Sequence, residues 1–500
     1  MKKYFAVIIF ACILSHFTSA QDLADAIRYS SFQINGTARA GGMGNAFGAL
    51  GGDFTSVSIN PAGLGLYRSS ELSLTPTFGQ TKVDSKYLGN PLSDNRYNFS
   101  FNNISYVSSN MARSGNETGL VNVNIGIGYN RLKNFNSNVL VGGDNAKSSI
   151  LDNFASNANV GNLSDYYEWL AWDTDLLIKD ENGVYWHDIE DAGYGQSQQK
   201  SISRQGRMDE YSLALGLNFN HKLYFGASVG IVDLYYKETS THTEGDKNKH
   251  IPYFNELQFN SFLRTSGTGY NGKFGIIYKP VNEIRLGVAV HTPTIYILKD
   301  AFETSMNSSI TYDDGKTEKY NATSPFLKYD YDLETPLRAT FSGAFVVGKR
   351  GLVSLDYEYV DYSKARLRRG GYDNYPFTDE NKEIASVYKS VGNLRLGGEY
   401  RLTDAFSLRA GYEYYPSGYN KYALGATQKN ADANLNIYSC GFGYRLGSFY
   451  LDAAYRYSDS MAFDMLYSAP ISGNYNYPSP EMASFNTLKS NVVVTFGVKF

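Results

Sequence analysis

Apolar residues recur at every second position in several stretches of this sequence. In residues 211–219, tyrosine, leucine and phenylalanine alternate with serine, alanine, glycine and asparagine, and residues 121–129, 353–359 and 492–500 alternate in the same way. Because successive side chains of a β-strand point to opposite faces, this period of two predicts strands with one apolar face. The pattern alone fits a face that looks inward to a core and equally one that looks outward to lipid.

The connections between these strands decide between a soluble sheet and a membrane barrel. Tight turns alternate with long polar loops near 81–96, 132–207, 239–264, 300–334, 364–390, 416–433 and 459–488. Short turns on one side and long loops on the other are typical of outer-membrane barrels, whose long loops lie outside the cell. We therefore predict an all-β fold, a 14-stranded antiparallel transmembrane β-barrel, with strands near 71–80, 97–109, 119–131, 208–220, 222–238, 265–279, 282–299, 335–348, 350–363, 391–402, 404–415, 434–446, 448–458 and 489–500.

The N-terminus and the composition agree with an exported barrel. Residues 1–20 have the features of a cleaved signal peptide, because Lys2 and Lys3 precede an apolar stretch and a small-residue cleavage site ends at Ala20. The sequence holds 43 Tyr, 29 Phe and 48 Gly but only 2 Cys, of which the mature chain would keep Cys440. A formal net charge of −3 gives no reason to expect a nucleic-acid partner. We expect the mature chain in the outer membrane of a Gram-negative cell, in contact with its lipids.

A glycine-rich stretch precedes the first predicted strand. Six glycines lie between Gly41 and Gly52, so this stretch forms neither a steady helix nor a steady strand. A phosphate-binding loop is excluded, because no Gly-Lys-Ser/Thr follows. Asn60 and Pro61 mark a turn. We predict that residues 21–70 form a compact plug, or hatch, and that residues 71–500 form the barrel around it.

The segment 132–207 is too apolar for a freely solvated loop. It contains Tyr166-Tyr167-Glu168-Trp169-Leu170-Ala171-Trp172, followed by Leu176-Leu177-Ile178. We predict that it folds over the barrel mouth as one or two helices and makes either a lid or an apolar landing surface. The candidate residues for ligand capture are Trp169, Leu170 and Trp172.

Two motifs in the glycine-rich region carry a family resemblance. Gly42-Met43-Gly44-Asn45-Ala46-Phe47, followed by Asn60-Pro61-Ala62-Gly63-Leu64, resembles the hatch of FadL/TodX-type outer-membrane transporters, which carry long-chain fatty acids and aromatic hydrocarbons through fourteen-stranded barrels. The resemblance implies that a hydrophobic ligand, with long-chain fatty acids favoured, is caught by loops, enters the lumen and leaves sideways when the hatch shifts. The implied hatch and gating residues are Gly42, Met43, Gly44, Asn60, Pro61, Ala62 and Gly63.

Alternation places several charged side chains in the lumen. They either pair across strands or hold a ligand carboxylate, which suits the geometry of a guanidinium group, and Arg395 and Arg409 are the candidates for that contact. The family resemblance also implies a kink in one wall, for which Gly126 and Gly128 are candidates. The largest loop here follows the third strand, whereas the binding loops of the family follow the fifth and seventh.

An enzyme is not expected, because the histidines form no His-x-x-x-His pair and no Gly-x-Ser-x-Gly elbow occurs. We expect no cofactor and no metal. The alternative function is a receptor-like barrel that binds haem or a surface partner through the 132–207 loop, and a structural adhesin is the third hypothesis. The terminal Phe500 closes an alternating strand, which is typical of a signal for the barrel-assembly machinery.

Overall fold

The computed structural model describes residues 23–111, 118–348, 350–370, 375–421, 429–471 and 477–500. The predicted signal peptide, residues 1–20, lies outside these residues and stays a prediction. The α-helices are α1 Leu23–Ser30, α2 Ala38–Gly42, α3 Ile150–Asn159, α4 Glu168–Asp173, α5 Asp188–Asp191 and α6 Thr378–Val387. The strands are β1 Glu71–Tyr87, β2 Asn90–Met111, β3 Leu120–Asn134, β4 Ser137–Gly143, β5 Ile178–Lys179, β6 Tyr185–Trp186, β7 Ser197–Phe219, β8 Leu223–Gly245, β9 Phe254–Tyr278, β10 Ile284–His291, β11 Ile295–Thr311, β12 Thr317–Thr323, β13 Leu327–Glu334, β14 Arg338–Val347, β15 Gly351–Asp361, β16 Arg366–Arg369, β17 Ser390–Arg401, β18 Phe406–Tyr415, β19 Leu435–Leu446, β20 Phe449–Met465 and β21 Met482–Lys499.

Fourteen antiparallel spans close into one barrel. Four spans consist of two consecutive strands each, namely β3 with β4, β10 with β11, β13 with β14, and β15 with β16. The ring closes because the last strand pairs with the first, from Glu71↔Lys499 to Lys86↔Ser484. The predicted fourteen-stranded barrel is confirmed.

The apolar face of the strands is the outer one. On β7, Tyr211, Leu213 and Leu215 are 53%, 53% and 41% exposed, whereas Ser212 and Ala214 between them are buried. An apolar outer face with small or polar residues inside is what a barrel in lipid requires. No helix in the described part of the chain has both the length and the apolar character needed to cross a membrane.

Several strands extend beyond the alternating stretches. Only two residues, 88 and 89, separate β1 from β2, so the predicted long loop near 81–96 is wrong. The connection between β8 and β9 likewise shortens to residues 246–253. The outer parts of these strands keep their backbone pairing but carry polar side chains such as Lys82 and Asp84 on the outside, so the apolar outer face of the membrane spans ends there.

Residues 144–196, between β4 and β7, fold over the long-loop end of the barrel, and we call them the extracellular cap. The cap contains α3, α4, α5 and the hairpin β5–β6, so it has three helices where one or two were predicted. It packs on side chains from several walls, including Tyr87 of β1, Leu257 of β9 and Met306 of β11. The cap is therefore a folded cover and not a solvated loop.

Candidate functional site

Residues 23–67 lie inside the barrel, and we call them the lumenal segment. The segment begins with α1, forms a β-bridge between Asn35 and Arg131 of β3 in mid-lumen, and continues towards the short-turn end, where β1 begins. Side-chain caps satisfy its irregular backbone, since Asp53 accepts a hydrogen bond from Thr55 N at 2.9 Å. Almost all residues from 36 to 67 are buried, so the segment fills the cross-section of the barrel.

Glycines of the barrel wall make room for this backbone. A Cβ atom on Gly226 of β8 would lie under 3.0 Å from the backbone of Pro61 and Ala62. A Cβ atom on Gly397 of β17 would crowd Met43 in the same way. Because glycine has no Cβ atom, the wall and the segment approach more closely than other residues allow. Five wall glycines share this close contact with backbone of the segment, and Gly275 makes it with the side chain of Asn60. We call these six the glycine seat: Gly216, Gly226, Gly275, Gly287, Gly397 and Gly411.

The first group of predicted hatch residues contacts the β17–β20 side of the wall. Gly44 has a φ of +57° and donates its N–H to Ser439 Oγ at 3.2 Å. Met43 is fully buried, and a Cβ atom on Gly42 would touch Ala454 at 3.4 Å. The three residues thus lie directly against the wall, as the contact surface of a plug must.

The second group contacts the β8–β10 side. Asn60 Nδ2 donates to Gly48 O at 2.7 Å and to Ile276 O of β9 at 3.2 Å. Pro61 follows as the first residue of a 3₁₀ turn, where its missing N–H leaves no partner unsatisfied. Asn60 therefore ties the segment both to itself and to the barrel. The other two predicted residues, Ala62 and Gly63, are buried beside it.

Arg409, one of the two candidate ligand contacts, belongs to a chain of buried charges. Its Nε donates to Glu399 Oε2 at 2.7 Å and its Nη1 to Asp452 Oδ1 at 2.6 Å. Arg39 of the lumenal segment donates to the same Glu399 oxygen at 3.0 Å. These ion pairs fasten the segment to the wall through charge-assisted hydrogen bonds.

Arg395, the other candidate, is also paired with carboxylates. Its Nη2 lies 3.5 Å from Glu358 Oε2, and its Nε lies 3.8 Å from Asp356 Oδ2. Glu358 accepts a further hydrogen bond from Arg338 Nη1 at 2.7 Å. A ligand carboxylate would have to replace one of these partners, so the role of Arg395 and Arg409 in ligand binding stays a prediction.

An apolar chamber surrounds α1 in the long-loop half of the barrel. Ala26 and Tyr29 of α1 fill it and are fully buried, and the Arg28 guanidinium lies 4.6 Å from the ring centroid of Tyr236. The side chains of its wall pack on one another and on α1, which fills the space between them. Members of this wall include Leu132, Phe135, Met208, Val232, Leu234, Tyr236, Tyr296, Leu298, Tyr331 and Leu333.

The wall between β2 and β3 is paired over only part of its length. Backbone pairing joins residues 103–111 of β2 to residues 122–130 of β3. Among the described residues, no ladder joins residues 90–102 of β2 to β3 or β4. Pairing stops at a bulge, where the register of β2 with β1 skips Asn102 opposite Pro76. A bulge ends regular pairing.

Side chains cross the separated part of this wall instead of backbone bonds. Asn134 Nδ2 donates to Asn98 Oδ1 at 3.0 Å, and Arg96 Nη1 donates to Arg204 O at 3.1 Å. Further contacts of this kind cross the same wall, since Arg96 Nη1 also donates to Asn138 Oδ1 at 3.3 Å and Asn90 Nδ2 donates to Gly142 O at 3.0 Å. The long-loop half of the β2–β3 wall is therefore held by side-chain contacts and not by a backbone ladder.

Gly126 and Gly128, the candidates for a wall kink, lie in the paired half of β3. They pair with Val107 and Ser105 of β2, so the prediction that they loosen the wall is wrong. Their physical role is contact with the lumenal segment, because a Cβ atom on Gly128 would lie under 3.0 Å from the ring of Phe54. The break in pairing lies farther along the strand, beyond the bulge.

A polar cavity of about 60 Å³ lies inside the barrel beside the separated wall. Gln33 and Asn35 of the lumenal segment line one side, and three cationic residues, Arg131, Arg456 and Lys489, line the others. No aspartate or glutamate is among the described residues of its lining. The rest of the lining consists of Thr77, Thr81, Asn98, Ser100, Asn102, Asn134, Ile437, Ser458 and Asn491.

The extracellular cap exposes two of the three predicted capture residues and buries the third. Trp169 and Trp172 of α4 are 37% and 38% exposed, whereas Leu170 is 3% exposed and packs in the apolar interior of the cap. The two indole rings thus form an apolar surface on the outside of the cap. Leu170 anchors the helix that carries them.

Histidine in the cap does not suit the alternative function of haem binding. His187 is fully buried, with Nε2 2.9 Å from Asp152 Oδ1 and Nδ1 accepting a hydrogen bond from Glu190 N at 3.2 Å. The described residues 144–196 present no exposed histidine to a haem iron. His187 instead links α3 to α5.

Residues 189–466 match the family model described as outer membrane protein transport protein (OMPP1/FadL/TodX), which is more than half of the chain. The chain belongs to this family. Among solved structures, it is similar to a FadL homologue of Pseudomonas aeruginosa (TM-score 0.53) and to the toluene transporter TodX of Pseudomonas putida (TM-score 0.50). Each is 14% identical, with 94% of this chain and 99% of that chain covered, so the likeness concerns the fold alone. No relative was found among curated protein sequences.

FadL/TodX-family proteins are outer-membrane transport channels for hydrophobic compounds and are not enzymes. The suspected family and the expectation of a transport protein are therefore confirmed. A location in the outer membrane agrees with the family, while cleavage of the signal peptide stays a prediction.

Sequence reasoning missed two parts of this FadL/TodX-type lumen. The glycine seat was missed because single glycines in strands also serve curvature, and nothing local separates the two roles. The separated wall had a weak signal, namely Pro76 inside the first strand and two consecutive inward asparagines, Asn102 and Asn103, in the second. Two successive residues that face the same side of a strand indicate a bulge.

Proposed function

We propose that this protein takes up hydrophobic compounds across the outer membrane, with long-chain fatty acids as the favoured class. The ligand lands on the cap, enters the apolar chamber and leaves sideways into the bilayer between β2 and β3. The observation that carries the proposal is the separated part of the β2–β3 wall, which lies beside an interior cavity and is covered from the lumen by the lumenal segment. An apolar solute gains nothing from a water-filled pore, so a lateral exit suits it.

In this proposal residues 21–70 are the hatch and residues 71–500 the barrel. The gating residues are those that rest on the wall: Gly42, Met43, Gly44, Asn60, Pro61, Ala62 and Gly63. The glycine seat supports movement, because backbone resting on glycine has few interlocking side chains to pull apart. The Arg39–Glu399 ion pair sets the closed position.

Ligand capture is assigned to the outer surface of the cap. Trp169 and Trp172 provide the apolar landing surface, and Leu170 holds α4 in place beneath them. The buried face of α4 packs on the same apolar interior that reaches β9 and β11, which gives a short route from the landing surface to the barrel mouth.

The outer surface of the barrel carries the proposed contacts with the barrel-assembly machinery and with membrane lipids. The terminal Phe500 is 66% exposed beside β1 and is the proposed contact for the barrel-assembly machinery. Outer-membrane lipids are the proposed partners of the exposed apolar face that all spans share.

Uptake of radiolabelled palmitate and toluene by cells that lack the gene tests the proposal. Wild-type protein should restore uptake of palmitate, and the double variant Trp169→Ala/Trp172→Ala should raise the half-saturating concentration several-fold at unchanged maximal rate. Trp186→Ala, in hairpin β5–β6, is the matched control. Equal uptake of both compounds with and without the wild-type protein would refute the proposal.

A further inference from the structure

The short-turn end of the barrel, which faces the periplasm, carries a surplus of positive charge. Among the described residues of this end, seven cationic side chains form no ion pair, whereas the exposed acidic residues are two, Glu283 and Asp404. An uncompensated set of like charges creates a positive potential over the face that carries it. The seven cations are Arg68, Lys222, Lys279, Arg285, Arg350, Arg401 and Arg445.

Four of these cations point towards the mouth of the barrel and away from the lipid, and we call them the arginine rim: Arg285, Arg350, Arg401 and Arg445. Alternation along β17 and β19 turns Tyr400 and Tyr444 outward, so the next residues, Arg401 and Arg445, lie on the inner face. Arg285 Nη1 donates to Leu50 O of the lumenal segment at 2.8 Å, so it is also on the inner face. Lipid head groups surround the outer face and therefore do not meet the rim.

The arginine rim extends over a large part of the mouth. Arg350 and Arg401 are neighbours, because Arg401 N donates to Arg350 O at 2.8 Å. Arg285 lies on β10 and Arg445 on β19, which are five strand pairings apart along the short-turn end. At about 4.8 Å per strand, the rim spans roughly 24 Å of wall. A single small anion reaches one or two of these arginines, whereas the whole rim suits a surface with several carboxylates.

The rim has few partners of its own. Arg285 Nε is buried and has no hydrogen-bond acceptor among the residues that the structure describes. The acids whose charges reach Arg445 are Asp452 and Glu399, and both are already paired with Arg409. Guanidinium groups bind carboxylates through paired, charge-assisted hydrogen bonds, so the partner that this rim lacks is a set of carboxylates.

We propose that the arginine rim is a docking surface for an acidic segment of a periplasmic protein. A segment with several aspartates or glutamates matches both the charge and the length of the rim, and opposite charge steers its approach. The inward direction of the arginines favours a polypeptide that covers the mouth over a phospholipid that borders the outer wall. This surface lies apart from the cap and the β2–β3 seam, and the inference does not depend on which compound the channel carries.

Equilibrium binding of a fluorescein-labelled oligoglutamate peptide to the purified full-length protein in a maltoside detergent tests the charge match. Arg350→Gln/Arg401→Gln should weaken binding by about tenfold at physiological ionic strength. The matched control, Arg368→Gln/Arg369→Gln, removes the same charge from β16 at the long-loop end and should bind the peptide as the wild type does. Heat-modified migration on gels confirms that each variant is a folded barrel. Equal weakening by the two double variants, or by neither, would overturn the proposal.

Photo-crosslinking in cells that make the protein tests the nature of the partner. With p-benzoylphenylalanine in place of the exposed Asp404, in the turn that follows Arg401, ultraviolet light should give an adduct with a periplasmic protein. Mass spectrometry should place the crosslink in a segment rich in aspartate and glutamate, and Arg350→Gln/Arg401→Gln should remove the adduct. An adduct with phospholipid alone, an adduct that persists in the double variant, or no adduct would contradict the docking surface.

Discussion

Two seams of this barrel differ in how their strands are held together. Between β7 and β8, every residue from Ser197 to Phe219 pairs with a residue between Leu223 and Gly245. Between β2 and β3, pairing ends at Asn103, although β2 continues to Asn90. The bulge at Asn102 of β2 marks the point where pairing ends, and one closed barrel thus contains both a continuous seam and a separable one.

The lumenal segment makes different contacts with the two seams. It rests on the continuous seam through close backbone contacts at Gly216 and Gly226. Above the bulge it borders the separable seam through the Asn35–Arg131 bridge and through Lys133 Nζ, which donates to Ser31 O at 2.8 Å. A shift of residues 31–35 would therefore uncover the separable seam while the seat on β7 and β8 stays in place.

A covalent link between β2 and β3 is expected to have the largest effect, which is the loss of palmitate uptake. In a Cys440→Ser background, Asn98→Cys and Asn134→Cys joined by a short bis-methanethiosulfonate should reduce palmitate uptake to the level of cells without the protein. A covalent link prevents the seam from opening, and reduction of the link should restore uptake.

The continuous seam provides the control for this experiment. Leu213→Cys and Val229→Cys, which are register partners on β7 and β8, should be joined without loss of uptake. Equal inhibition by both links would mean that the two seams do not differ in function.

Adding a Cβ atom at the glycine seat is expected to have the next largest effect, a lower free energy of unfolding. Gly226→Ala places a Cβ atom under 3.0 Å from the backbone of Pro61 and Ala62, and such overpacking should lower the free energy of unfolding in detergent by about 1–3 kcal/mol. Denaturant titration followed by tryptophan fluorescence measures this change. Gly343→Ala on β14 is the control, because no atom lies within 4 Å of its added Cβ. If both variants lose the same stability, the close contact with the segment is not the cause.

The smallest expected effect is a pH dependence of cap docking. It arises in the loop between β8 and β9, where His250 binds the cap. Its Nε2 lies 2.8 Å from Tyr194 O and its Nδ1 lies 3.0 Å from Asp246 Oδ1, so the Tyr194 carbonyl first, and then Asp246, raises the pKa of His250 above 6.5. Because the pKa is raised in the folded state, this contribution to cap docking is complete below pH 6.5 and is lost as pH rises through the folded pKa.

Hydrogen-exchange protection factors of α5, measured at pH 6 and pH 8, test this contribution. Protection in the wild-type protein should decrease at the higher pH, and His250→Gln should show little change between the two. A variant with the same pH dependence as the wild type would exclude His250 as its cause.

The membrane spans were predictable because alternation is a local property. Residues 211–219 and 492–500 show their outward face in the sequence, since lipid selects apolar side chains at every second position. The prediction failed near 81–96, where the outward side chains of the paired strands are polar, so the apolar outer face that marks a membrane span is missing. Burial of Leu170 beside the exposed Trp169 was equally invisible, because it depends on side chains from β9 and β11.

By itself, the sequence determined the number of spans, their apolar outer face, and a glycine-rich segment unable to form regular structure. Only the tertiary structure decided which glycines seat that segment and why Arg395 and Arg409 meet carboxylates. The physical reason is distance along the chain: Arg39 pairs with Glu399, and Asn60 binds the Ile276 carbonyl, across hundreds of residues that no local pattern connects.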